Sequence, residues 1–194
     1  YNSVDTVGGR MALGIDLDDN WTIRPGLMIQ SQVAHGSFAQ QSNIGEWKTE
    51  QYNREYSKDQ WYQASLTVEG KIGNFDLTYA GAYLQRRVDS WSDYSDYAYF
   101  YDALAGYGAY FVDNAGNPVN PNQYINGIDR YTKMSHELRI ASPADKRLRL
   151  IAGLFYQRQT HGITQNYIID GIADDLKVPG TPSTQQRRPA SDRM

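Results

Sequence analysis

Hydrophobic residues recur at every second position over long stretches of this chain, not at the 3.6-residue period of a helix. Met11, Leu13, Ile15 and Leu17 alternate with Arg10, Ala12, Gly14 and Asp16. Beyond Asp18-Asp19-Asn20, Trp21, Ile23, Pro25, Leu27, Ile29 and Val33 oppose Thr22, Arg24, Gly26, Met28, Gln30 and Gln32. Tyr62, Ala64, Leu66, Val68 and Ile72 oppose Gln63, Ser65, Thr67, Glu69 and Lys71, and Phe75, Leu77, Tyr79, Gly81 and Tyr83 oppose Asp76, Thr78, Ala80 and Ala82. Met134, His136, Leu138 and Ile140 oppose Lys133, Ser135, Glu137 and Arg139; Leu148, Leu150, Ala152, Leu154 and Tyr156 oppose Arg147, Arg149 and Gln157. The pattern predicts six strands in three hairpins.

Residues directly opposite across a hairpin must share a face. Gly73-Asn74 is a two-residue turn that pairs Ile72 with Phe75, and the 18–20 turn pairs Leu17 with Trp21. A turn over 142–146 pairs Ala141 with Arg147 on the other face. One apolar side therefore runs through all three hairpins. Between the hairpins lie long stretches at 35–58, 92–130 and beyond 160. Short turns on one rim and long loops on the other are the pattern of outer-membrane barrels. Tyr62 to Ile72 would span roughly 33 Å at ~3.3 Å per residue. Tilted about 45°, it rises roughly 23 Å, near the ~25 Å apolar band of such barrels.

The expected fold class is all-β: an antiparallel up-and-down wall segment of a transmembrane β-barrel, with all of 1–194 in that one domain. Six strands are too few to close a barrel, so the remaining strands are expected outside this sequence. No basic start, apolar stretch and cleavage site opens at Tyr1, and the polar stretch from Gln185 to Met194 has no pattern. Both ends are read as cuts.

Composition changes the picture in three ways. The 16 Tyr and 4 Trp suit strands and membrane interfaces. A net charge of −3 carries no basic excess for nucleic acid, and cysteine is absent, which excludes disulfides and thiolate metal sites. No run reaches the ~18 apolar residues of a membrane helix, and the mean hydropathy is −0.66. A barrel remains compatible, because its strands place only alternate residues in lipid.

The third hairpin also carries a resemblance. Glu137-Leu138-Arg139-Ile140-Ala141-Ser142, a polar turn, and then Leu148-Arg149-Leu150-Ile151-Ala152-Gly153-Leu154-Phe155-Tyr156 resembles a mid-barrel hairpin of TonB-dependent receptors, and Asp19-Asn20-Trp21-Thr22-Ile23 resembles a recurrent turn of the same family. Leu150 stands where many members carry Trp. The resemblance covers roughly residues 131–160 as sequence and most of the chain as strand–loop rhythm. It implies a plugged barrel of roughly 22 strands in the bacterial outer membrane. It also implies partners in outer-membrane lipid, a small-molecule nutrient complex and TonB, the last reached through an N-terminal region and plug not in this sequence.

Candidate ligand contacts lie in the aromatic stretch with Trp91, Tyr94, Tyr97, Tyr99 and Tyr101. Such rings suit sugars, catecholates or macrocycles; the alternative is that they extend the strand or pack the loop on itself. Lys133, Glu137, Arg139, Arg147 and Arg149 are expected to face the lumen, to attract an anionic ferric complex or to pair with one another and the plug. Ile151 and Phe155, apolar on that same face, fit contact with a plug. His35, His136 and His161 share no metal-ligand spacing. Asp113-Asn114-Ala115-Gly116-Asn117 reads as a turn and not as a calcium loop, because no spaced carboxylates follow. No nucleophile motif is present, and no metal, cofactor or enzyme activity is expected. The expected function is uptake of a scarce nutrient, foremost a ferric siderophore. A passive porin-like channel and a soluble β-sheet carbohydrate-binding module are the alternatives.

Overall fold

The computed structural model describes residues 2–36, 39–96, 111–119 and 122–176. The strands are β1 (Ser3–Ala12), β2 (Ile15–Asp16), β3 (Thr22–His35), β4 (Tyr56–Ile72), β5 (Phe75–Asp93), β6 (Gln123–Ala141) and β7 (Ile151–Ile169), followed by a 3-10 turn at Asp174–Leu176. They form one antiparallel up-and-down sheet in the order β1-β3-β4-β5-β6-β7, with β2 also on β3. The all-β antiparallel fold follows the period of two.

β1 and β2 are parts of one edge strand. Ala12 pairs with Gly26 and Ile15 with Ile23, without change of register. The break falls opposite Pro25. The Leu13 amide donates to the Pro25 carbonyl at 3.0 Å, but proline has no N–H to return the bond. Six strand positions result, as expected, although the first begins at Ser3 and not at Arg10.

The first two turns keep their predicted register. Asp18 Oδ1 accepts from the Asn20 and Trp21 amides at 2.7 and 2.9 Å, and the Leu17 amide donates to the Trp21 carbonyl at 2.8 Å. Gly73 supplies the left-handed conformation (φ +63°) that closes Ile72 on Phe75. The third turn differs from expectation. Ala141 pairs with Ile151, so the turn runs over 142–150. Pro143 cannot extend a ladder, and Ser142 closes the longer loop: its amide donates to the Leu150 carbonyl at 2.9 Å and its Oγ accepts from the Leu150 amide at 2.8 Å. The shift is four residues, an even number, so every strand side chain keeps its face. Arg147 and Arg149 nevertheless sit in the turn and not on a strand, which corrects their assignment to the lumenal row.

Two unlike faces follow from the register. From the short turns up to Ile29, Tyr62, Tyr83, Met134 and Tyr156, no strand position on the apolar face is Asp, Glu, Lys or Arg. Over the same zone the opposite, ionic face holds Arg10, Asp16, Arg24, Glu69, Lys71, Asp76, Lys133, Glu137 and Arg139. Among the described residues no second layer covers the apolar face; Leu138 is 42% exposed, Ile29 52% and Leu154 77%.

The upper edge of the apolar zone crosses the strands obliquely. Tyr62 pairs with Gln85, whereas Tyr83 pairs with Ala64 and Tyr156 with His136, each step lying nearer the short turns. Tilted strands crossing a flat apolar slab have this geometry. The Tyr62 and Tyr83 rings lie 6.3 Å apart on that edge. Inside the zone one nitrogen of the His136 ring has a partner: the Tyr79 hydroxyl hydrogen-bonds His136 Nδ1 at 2.7 Å, reaching across Gly81. At the opposite edge Trp21 covers Gly70, where an added Cβ would meet Trp21 Cε3 at 2.2 Å. Gly70→Val should displace that ring and cost ~1–3 kcal/mol of stability, as overpacking does. Equilibrium unfolding followed by Trp fluorescence checks it.

Candidate functional site

The closely buried hydrophobic residues of the described chain, Tyr124, Ile168, Ile172 and Ala173, all lie at the long-loop rim. β4, β5, β6 and β7 run on past the apolar zone and deliver their ends there. Asp93 closes β5, and its carboxylate organises the rim. It accepts from the Tyr52 amide (2.7 Å), the Asn53 amide and Nδ2 (both 3.2 Å), the Ser95 amide (3.1 Å) and Ser95 Oγ (2.7 Å). The Asp93 amide in turn donates to Glu55 Oε1 at 2.9 Å. Burial works to raise the Asp93 pKa, but the hydrogen bonds from Ser95 and Asn53 outweigh it and hold the carboxyl below its ordinary value.

The network spreads outward from there. Asn53 Nδ2 also donates to Asn122 Oδ1 at 2.7 Å, and Asn122 Nδ2 donates to Asp170 Oδ2 at 2.7 Å. The Ala173 amide donates to the Val112 carbonyl at 2.8 Å, and the Asp174 amide to Asn114 Oδ1 at 2.9 Å. Four separate loop segments are thereby tied over the ends of β5, β6 and β7. Asp113 builds a local turn, accepting from the Asn117 amide (2.9 Å) and Nδ2 (3.1 Å) and from the Ala115 amide (2.9 Å). Those bonds from Asn117 and Ala115 hold its pKa low, and its oxygens serve the turn itself.

The sequence candidates separate. Trp91 lies on β5 and stacks on Tyr124 at 4.9 Å; Tyr94 meets Tyr167 edge-on at 5.7 Å. Trp91 thus extends β5 and packs on β6, whereas Tyr94, just past the end of β5, reaches over to β7. Tyr97, Tyr99 and Tyr101 lie outside the described residues. Lys133, Glu137 and Arg139 share the ionic face of β6, and Arg139 Nε lies 3.1 Å from Glu137 Oε1. Ile151 and Phe155 are on that same face, opposite Ala141 and Glu137. Arg147 and Arg149 lie at the far rim.

The chain matches no family model, no curated protein and no solved structure.

Sequence reasoning missed Asp93, Asn53 and Asn122 as the organisers of the rim. Asp93 did carry a signal, since Asp followed two residues later by Ser favours a local side-chain turn. Asn53 and Asn122 carried none, because they meet through contacts between distant loops. The Arg86–Asp59 pair on the ionic face was also missed; its two nitrogens approach the carboxylate at 2.8 and 2.6 Å. The described rim is therefore a set of loops tied to one another through a carboxylate and carboxamides, beside the packed rings of Trp91 and Tyr94.

Proposed function

We propose that this sheet is part of the wall of an outer-membrane β-barrel, and that the barrel is a TonB-dependent receptor importing a scarce nutrient, foremost a ferric siderophore. The observation that carries the membrane reading is the charge asymmetry. The whole apolar zone lacks Asp, Glu, Lys and Arg, while the opposite face at the same height is ionic. In water an uncovered apolar surface of this extent would be an association site; against hydrocarbon it is at rest. The apolar run of β4, Tyr62 to Ile72, matches the ~9–11 residues of a tilted membrane strand. The outer strands β1 and β7 present unpaired backbone, which in lipid requires further strands to complete a closed barrel.

The receptor reading adds the resemblance over 137–156. It is supported by the ionic face, where the Arg86–Asp59 and Arg139–Glu137 pairs and the apolar Ile151 and Phe155 suit contact with a plug. The tied rim gives a pre-organised surface on the long-loop side, which lowers the ordering cost of binding a ligand. The role is binding and transport, with no reaction chemistry.

Uptake by cells tests it. Deleting the gene should abolish accumulation of one ferric siderophore under iron limitation, and collapsing the proton-motive force should do the same in the parent strain. Uptake that persists without the proton-motive force would favour the passive channel.

A further inference from the structure

Immediately above the tyrosine edge, the apolar face turns cationic. Lys58 on β4, Arg87 on β5, Arg130 on β6 and Arg158 on β7 all belong to that face, and all are exposed. Each lies two or four residues beyond the residue that ends the apolar zone on its strand: Tyr62, Tyr83, Met134 and Tyr156. Because the edge steps obliquely, these four positions follow it from strand to strand and form a belt. Arg87 and Arg130 are direct cross-strand partners. Like charges in that position repel and destabilise a sheet, so the arrangement calls for an anion between them. Among the described residues none of the three arginines has a carboxylate within 4.0 Å. Two acids share the level of Lys58 on this face: Asp89, its direct partner, and Asp5, two strands away across Val33. Asn126 Nδ2 donates to Asp89 at 3.4 Å, and Asp5 lies 3.7 Å from His35 Nε2. The acids Asp59 and Asp129 at this height belong to the other face, with Arg86. A shallow trough of about 580 Å³ lies beside the belt. The register puts Gly9, Ile29, Ser31, Tyr62 and Arg87 of its lining on the apolar side, with small residues leaving the hollow.

We propose that this belt binds the phosphate groups of anionic lipid headgroups in the surrounding leaflet, with the lipid's acyl chains against the tyrosine edge and the trough. The proposal rests on the membrane reading above and extends it from a generic apolar wall to a wall that selects phosphorylated lipid. Charge and depth together choose a lipid over a free ion: the arginines sit where an apolar slab ends, on the side away from the ionic face.

The test uses the full-length protein reconstituted in phosphatidylcholine bilayers doped either with a bis-phosphorylated lipid A or with the same lipid dephosphorylated. Retained lipid is counted by native mass spectrometry, and thermal stability is read in parallel. The phosphorylated lipid should be retained and raise the midpoint, while the dephosphorylated lipid should do neither. Arg87→Gln/Arg130→Gln/Arg158→Gln should weaken retention roughly a hundredfold, at about fivefold per cation near a charged surface. The triple Arg→Lys variant should recover most of it. Equal retention of the two lipids by the native protein overturns the proposal without touching the barrel reading, and needs no variant to fold. Inorganic phosphate that competes at millimolar concentration would also overturn it, as a free-anion site. Failure of the native protein to enter bilayers at all would overturn both.

Discussion

Leu138→Arg should destabilise the protein by ~2–4 kcal/mol, the cost that the proposed barrel sets for an arginine facing lipid near the bilayer midplane. Leu138 sits in the middle of the apolar zone, opposite Tyr79 on one side and Leu154 on the other. Its neighbour along the strand points the other way. Arg139→Gln removes only an exposed pair with Glu137 at 3.1 Å, worth ~0–1 kcal/mol. A third substitution separates lipid from a covering protein layer. Ile128 shares the Leu138 face but lies beyond the cationic belt, opposite Asp89. Ile128→Arg should cost only ~0–1 kcal/mol, because the penalty falls towards the interface. Equilibrium unfolding in lipid vesicles measures all three. Equal losses at 138 and 139 would show that the two faces are not distinct. Equal losses at 138 and 128 would mean that depth has no role, as in a soluble sandwich.

Asp93→Ala should unfasten the long-loop rim while leaving the apolar zone intact. The substitution strands five donor contacts from Tyr52, Asn53 and Ser95. Hydrogen bonds to a charged acceptor contribute ~1.5–3 kcal/mol each when removed alone, but these act on one carboxylate and will not add. A local loss of about 2–3 kcal/mol is expected. Amide exchange should accelerate at residues 52, 53 and 95 and stay unchanged at Leu66 and Leu138. The same carboxylate makes the rim pH-sensitive. Its folded pKa lies below the ordinary value, so its contribution is complete above the unfolded carboxyl pKa of about 3.9 and is lost as pH falls through the folded value. The rim of the native protein should therefore loosen below about pH 4. Asp93→Asn should be weaker at neutral pH and lose that transition. An unchanged acid transition in Asp93→Asn would assign it to other carboxylates.

The strands were legible because their information is local. Alternation over β3, β4, β5 and β6 set which face each residue occupies, and Gly73-Asn74 and Asp18 set two registers through turn chemistry that acts within a few residues. The third turn was misjudged because the alternation already starts at Leu148 and Leu150, before pairing begins at Ile151. Ser142 and Pro143, not hydrophobicity, decide where the ladder starts. Parity survived because the error was even. The extensions of β5 beyond Tyr83 and of β7 beyond Tyr156 were less legible, since the apolar face there becomes polar and alternation fades. The rim was least legible. Asp93 at the end of β5 meets Asn53, Asn122 and Asp170 from three different loops, and no period in a sequence encodes such contacts. Trp91 and Tyr94 were found by their composition, but their stacking on Tyr124 and Tyr167 depends on which strands lie alongside.

In the proposed barrel the uncharged face of this sheet meets lipid. The chain has no cysteine, so single spin labels can be placed at each position from Gln60 to Ile72 in the intact protein in bilayers. Collision rates with oxygen and with a water-soluble nickel chelate then report lipid and water exposure. The account predicts alternation: high oxygen and low nickel contact at Ala64, Leu66 and Val68, the reverse at Gln63, Ser65 and Thr67, and nickel contact rising at Gln60. Nickel reaching Leu66 as freely as Gln60, or no alternation along the strand, would contradict it.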